Sequence, residues 1–367
     1  MNAQEAPESG IEGAVDALYA RARSYNSHCI ALPVTKGSDE SLWSAARRRS
    51  IGSSTAAGAL GVSKYDDTPY SVWLELTGQV DPKDISQKPA VKAGNRLEHV
   101  VREWFEEETN RRVDVVNSIL VSKPHPFMHT CPDGRVIGEA AGLECKTAGH
   151  WAGLSEEWGP SGSSESDAVP LNYLVQCVTS MIVTGWRTWY LAVLIGGNDF
   201  RWYTIRYDEE LAKQIVGQLN GFAGRIEVAK QCIAARCAIP ADAIPPATTM
   251  EDVFARWPLS QPTPIAATPE IADLVDEFAK LKFAVAEHAE RLDEIKLVVT
   301  SYMGANDTLT LNDVYGGQTP LCTFKSTKPR ETFDAKRHKT DAPECHSKYV
   351  GTAAASRSFL IKEAGGK

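Results

Sequence analysis

The sequence predicts an α+β protein, with a central mixed sheet flanked by helices and a helical and hairpin extension after it. Three observations carry this. Apolar residues recur at helical spacing in several stretches. Segments with strand character lie among them, and a proline-rich stretch sets both apart from a long heptad run. At 367 residues the chain is long enough to bury a large core in two or three domains.

Taken in order, residues 11–23 and 38–60 read as helical, the second run containing Leu42, Trp43 and the triplet Arg47-Arg48-Arg49. Between 90 and 109, Leu97, Val100, Val101, Trp104 and Phe105 recur on one face. Strands are expected over 112–121, in a hairpin around 133–147, and in WRTWYLAVLIGG and FRWYTIRYD, with Gly-Gly-Asn-Asp between the last two. A Gly/Ser-rich loop at 148–169 leads to a helix from 170 to about 184, and a long helix follows from 208 to about 236.

From Ile239 to Pro269 there are seven prolines in 31 residues, the composition of an extended connector. Beyond it Ile271, Leu274, Phe278, Leu281, Val285, His288, Leu292, Ile295, Val299 and Tyr302 alternate spacings of three and four. This seam is either half of a coiled coil or a helix lying on another surface. The expected organisation is therefore a domain at 1–238, a connector at 239–269 and an extension at 270–367.

Apolar content of 43% and charged content of 23% are ordinary for a globular protein. No apolar run approaches the ~20 residues that span a bilayer, and MNAQEAPESGIEG does not read as a secretory signal. Eight cysteines without CxxC spacing point to a reduced, cytoplasmic protein lacking a structural zinc or iron–sulfur site. A net charge of −8 argues against a nucleic-acid coat, yet is compatible with an enzyme that has one local basic channel.

The chemistry concentrates in CPDGRVIGEAAGLECKTAGH, residues 131–150. Asp133-Gly134 reads as a tight turn, and Gly138 to Ala141 as the link between two short strands. Side chains alternate along a strand, so Glu144 and Lys146 share a face, with Asp133 beside them if the hairpin closes. Two carboxylates and an ammonium in one place suit a divalent cation and an activated water. By themselves the same residues also suit a surface hairpin with an i,i+2 ion pair. The Cys145 carbonyl would add a neutral oxygen, and Glu98, next to an apolar helix face, a third carboxylate. Gln176, among apolar neighbours in NYLVQCVTSM, reads on its own as a satisfied core amide.

Taken together, GNRLEHVV, CPDG, LECKT and VPLNYLVQCVTSM, in that order, resemble the PD-(D/E)xK nuclease core of the phage lambda-type alkaline exonuclease and YqaJ-type viral recombinase family. LWSAARRRSIGSSTAAGALGVSKYDDTPYSVWLELTG is similar to that family's opening helix, Ile-x-x-Ser turn and Trp-Leu-x-x-Thr-Gly helix. The resemblance covers about 40–235, and residues 270–367 resemble the C-terminal extension of phage and prophage members.

What the resemblance implies is specific. The core would have the restriction-endonuclease-like fold. Asp133 and Glu144 would bind metal, Lys146 would be the catalytic lysine, and Glu98 would help to hold a second ion. Gln176 would lie near the lysine and the scissile phosphate, and Arg47 and Ser54 would hold a terminal 5′-phosphate. Cys131 departs from the pattern, because the lambda-type enzyme has a serine there, leaving Thr130 or Ser53 as substitutes. The implied activity is a Mg²⁺-dependent 5′→3′ exonuclease on duplex DNA ends, using two ions for which Mn²⁺ can substitute. It would leave a 3′ single strand for an annealing protein, and would work as a homo-oligomeric ring, a trimer favoured, in a bacterial host cytoplasm if phage or prophage encoded. An endonuclease on the same core and a non-catalytic DNA-binding module are the alternatives.

Overall fold

A computed structural model describes residues 8–150, 158–163, 168–260, 264–312, 318–326 and 333–350. Parts of the Gly/Ser-rich loop, of the YGGQTPLCTFK strand and of the RETFDAKRH tail lie outside these residues. The chain divides into two compact units, 1–256 and 257–367.

The first unit opens with α1 (Glu8–Ala20), β1 (Arg23–Ser24), β2 (Cys29–Ala31), α2 (Glu40–Arg47), β3 (Ile51–Gly52), α3 (Ser53–Ala59), α4 (Pro69–Leu76) and α5 (Pro89–Thr109). Then come β4 (Val113–Asp114), β5 (Leu120–Ser122), β6 (Met128–Thr130), β7 (Gly134–Val136), β8 (Ala141–Ala148), α6 (Leu171–Thr184), β9 (Thr188–Ile195), β10 (Asp199–Arg206), α7 (Glu209–Ala235) and α8 (Met250–Arg256). The larger sheet runs β10-β9-β8-β7-β4; β8 and β9 are parallel and the other pairs antiparallel. This is the expected mixed sheet flanked by helices. A second sheet, β1-β2-β5-β6-β3, accompanies it.

Strand β9 shows why the sheet is covered on both faces. Tyr190, Ala192 and Leu194 pack with Val101 and Phe105 of α5, whereas Trp189, Leu191, Val193 and Ile195 join the core that contains α6 and α7. Both residue sets are buried, so the strand reads as a continuous apolar run. Helix α6 is buried from Asn172 to Thr184 and is accordingly apolar nearly all round. At α7 Asp208 caps the N-terminus, accepting from the Leu211 N–H at 2.9 Å, a contact worth about 1 kcal/mol.

Three sequence expectations need correction. The helix expected over 38–60 is two helices, because Ile51 and Gly52 pair in parallel with Met128 and His129 of β6. The strand expected over 112–121 is also two: β4 joins the larger sheet and β5 the smaller. Asp133-Gly134 is not the turn. Gly134 begins β7, and a Cβ there would collide with Val113. The turn lies within the link expected from Gly138 to Ala141, at Gly138, whose φ of +83° suits glycine.

The proline-rich stretch begins against the core. Asp252 of α8 is buried and accepts from the Thr68 hydroxyl at 2.8 Å and the Thr248 N–H at 2.9 Å. In the second unit α9 (Pro269–Met303) is one unbroken helix of 35 residues, so the heptad seam runs along a single element. A hairpin of β11 (Thr308–Asn312) and β12 (Gln318–Thr323) follows, then α10 (Ala335–Asp341) and α11 (Pro343–Ser347).

Candidate active site

The site exists because β7 is short. Gly134 pairs with Leu143 and Arg135 with Gly142, but Pro132 leaves the sheet and has no N–H to extend the ladder. Beyond Leu143, β8 therefore lacks a neighbour on that side. The Asp133 carboxylate takes over the missing partner's place and accepts from the Cys145 N–H at 2.8 Å. In a strand the N–H and C=O of one residue face the same edge, so the Cys145 carbonyl is turned toward the Asp133 side.

Alternation along β8 sends Leu143 and Cys145 toward α5, leaving Glu144 for the α6 face. Glu144 is 4% exposed. Its Oε1 accepts from Lys146 Nζ at 2.7 Å and from Gln176 Nε2 at 2.6 Å. Gln176 is thus a buried amide with a partner, as its helix context suggested, but the partner is the site carboxylate. Burial, with Glu144 and Glu98 nearby, pushes the Asp133 carboxyl up to about 8, although Lys146 acts in the opposite direction. Burial disfavours the Lys146 ammonium, but Glu144 and Asp133 more than offset that and hold its pKa above the usual lysine value.

Arg47 ends α2 and Ser54 lies in the first turn of α3, with the short β3 between them. Arg47 Nη2 donates to Ser54 Oγ at 3.2 Å, while its buried Nε has no hydrogen-bond partner among the described residues. Arg47, Ser54, Glu98, Asp133, Glu144, Lys146 and Gln176 all line one cavity of about 220 Å³. The structure thus gathers every side chain to which the sequence assigned a role in the site. Of the two substitutes offered for the missing serine, Ser53 lines the cavity and Thr130 is fully buried.

The same cavity contains Lys36, Asn117 and His129, which the sequence reading missed, beside Cys131, which it named. Lys36 reaches Glu98 at 3.4 Å, and its N–H is held by Asn117 Oδ1 at 2.8 Å. Both lie outside regular elements, where no periodicity marks them. His129 is buried on Ser50 at 2.9 Å, and burial, with Arg47 adding to it, lowers its pKa to about 3, so it is neutral. Burial and the two nearby carboxylates, against the opposing effect of Arg47, push the Cys131 thiol up to about 11, so it remains protonated. A thiol is a weak donor, poorly suited to replace a serine.

The donor set fits a hard divalent cation. Among the described residues no three His, Cys, Asp or Glu side chains are already gathered as for a metal ion. Glu98 is drawn instead toward Lys36 and, at 3.9 Å, Arg102. Asp133 and Glu144 are enough for Mg²⁺, which takes one or two carboxylates and keeps several waters. A carboxyl pushed up to about 8 by its surroundings is one that a cation would relieve of its proton.

Residues 42–187, which include all seven of these side chains, match the YqaJ-like viral recombinase domain. Over these residues the chain is similar to that family. The "Uncharacterized protein YqaJ" of Bacillus subtilis (strain 168) is 38% identical over 175 residues, which are 47% of this chain and 52% of that protein. The chain thus spans about half the length of the curated relative it matches. Among solved structures, an alkaline exonuclease (LHK-Exo) from Laribacter hongkongensis, also solved with dAMP, is 20% identical, with a TM-score of 0.44. That match covers 53% of this chain and 96% of the exonuclease. A phage related exonuclease from Haemophilus somnus 129PT is 12% identical, with a TM-score of 0.39, over 51% of this chain and 96% of its own. Among the described residues no helix is long and apolar enough to cross a membrane.

Proposed function

We propose that the region matching the recombinase family is a Mg²⁺-dependent 5′→3′ exonuclease acting on duplex DNA ends. The observation that carries this reading is the single cavity, with paired carboxylates and a lysine at one end and an incompletely partnered arginine at the other. Asp133 and Glu144 would hold the cation, with the Cys145 carbonyl and Glu98 as further oxygens. When bound, the ion would supply charge neutralisation and an acidified water, and Mn²⁺ could replace it.

The chain's own groups do the rest. Gln176 and Lys146, both on Oε1, fix the orientation of the Glu144 carboxylate. Lys146 neutralises charge that develops on the scissile phosphate. Its raised pKa depends on Glu144 and Asp133, so neutralising those carboxylates makes its proton easier to release. At the other end Ser54 Oγ accepts from Arg47 and keeps its own proton to donate. A guanidinium fork with an adjacent hydroxyl suits a terminal phosphate monoester.

The 3′ single strand left behind would pass to a single-strand annealing protein, and a closed ring of identical chains would keep the duplex from escaping between cuts. The decisive experiment incubates the protein with blunt linear and closed circular plasmid, with and without Mg²⁺. The expected result is Mg²⁺-dependent loss of the linear form alone. Cutting of the circle would show an endonuclease, and inertness toward both a binding module.

A further inference from the structure

The hydroxyls of Ser53, Thr130 and Ser180 form a buried chain between the two ends of the cavity. Ser53 Oγ lies 3.0 Å from Thr130 Oγ1, which lies 2.8 Å from Ser180 Oγ. Ser180 Oγ in turn donates to the Gln176 carbonyl at 3.0 Å. A carbonyl only accepts, and each hydroxyl has one proton. The direction of the chain is therefore set from its far end. Ser180 gives its proton to Gln176, Thr130 gives its proton to Ser180, and Ser53 gives its proton to Thr130. Thr130 and Ser180 are 0% exposed, which shields both from solvent. Reversal would turn three hydroxyls together and withdraw the Ser180 proton from the Gln176 carbonyl.

Ser53 lines the cavity with its proton already committed. Its neighbour Ser54 accepts from Arg47 and has its proton to give. We infer that Ser53 presents only lone pairs to the cavity, so that its subsite takes a hydrogen-bond donor, a water or a hydroxyl, and steers anionic phosphate oxygens to Ser54 and Arg47. This rests on the proposed reading of the cavity as a phosphate-end site, and it makes Ser53 a poor substitute for the serine that Cys131 replaces. Thr130 is then a positioning residue, acting through the direction of the chain.

The direction makes an unusual prediction: removing a buried hydroxyl improves phosphate binding. In Thr130→Val, Ser53 loses its acceptor and can donate into the cavity. In Ser180→Ala, Thr130 turns its proton to Ser53, with the same result by a different substitution. Affinity for 5′-phosphorylated and 5′-hydroxyl duplex ends would be measured by fluorescence anisotropy in Ca²⁺, without turnover. Both variants should bind the phosphorylated end about five- to tenfold more tightly, the effect of one added bond to a charged group. Adding Ser53→Ala should remove that gain, while Ser53→Ala alone should cost at most about twofold. Thr130→Ser keeps the chain and should show no gain.

A loss of about tenfold in Ser53→Ala alone, or no gain in either Thr130→Val or Ser180→Ala, would overturn the inference while the phosphate reading stood. Equal binding of the two ends by the native protein, unchanged by Arg47→Ala, would overturn both.

Discussion

The acidic and basic ends of the cavity differ in what each is left wanting. At the β8 end three carboxylates, Glu98, Asp133 and Glu144, line the wall, and Asp133 is pushed up to about 8 by burial and by the other two, Lys146 offsetting only part of this. At the α2–α3 end Arg47 holds a serine with one nitrogen and leaves a buried donor without a partner among the described residues. One end is short of a cation and the other of an anion. A buried polar group without a partner costs about 1–3 kcal/mol, so such deficits persist where a ligand completes them. A cation at one end and a terminal phosphate at the other would satisfy both.

Breaking the acidic end should have the largest effect. Lys146→Ala should lower cleavage by about 10³-fold or more while leaving DNA affinity in Ca²⁺ within a few-fold, since the lysine acts on the transition state. Asp133→Asn or Glu144→Gln should instead raise the Mg²⁺ requirement or abolish activity, as a Mg²⁺ titration of the rate would show. Substantial Mg²⁺-dependent cleavage by all three variants would mean that the chemistry lies elsewhere. Gln176→Ala, which removes an orienting contact and no ligand, should cost about 10- to 100-fold in rate.

The basic end should respond in preference rather than in chemistry. The native protein should digest a 5′-phosphorylated duplex faster than its 5′-hydroxyl counterpart, and Arg47→Ala should shrink that ratio by about tenfold. If the ratio is unity from the outset, Arg47 is structural.

The smallest effect concerns stability. The Asp133 carboxyl has a higher pKa folded than unfolded, so the cation-free folded state binds the extra proton between about pH 4 and pH 8. Stability from this group is therefore present at low pH and lost as pH rises through that window. The melting temperature without divalent ions should fall across it, Mg²⁺ should raise it more at pH 8 than at pH 5, and Asp133→Asn should flatten both trends.

The acidic end was legible in the sequence because it rests on strand alternation, a period that survives without tertiary context. Glu144 and Lys146 needed only that rule, and the helix carrying Gln176 only its apolar neighbours. The basic end was legible only through resemblance. Residues 38–60 look helical locally, and the break at Ile51 comes from pairing with Met128, a partner that local spacing does not announce. Gly134 was misread because glycine serves two ends: the sequence suggests freedom of φ, whereas the fold uses the missing Cβ to seat Val113. The chain through Thr130 and Ser180 was invisible, since a buried hydroxyl has no pattern until its partners converge.

The brevity of β7 also determines where this stretch of chain tolerates a change of length. The hairpin tip is solvent-facing at Ile137, and the turn at Gly138 lies at the other end of the hairpin from Asp133. An inserted loop or a protease nick there leaves the spacing from Asp133 to Gly134 untouched. One residue added between Pro132 and Gly134 does the opposite. It shifts the period of two by one and swings the carboxylate away from the Cys145 N–H that anchors it.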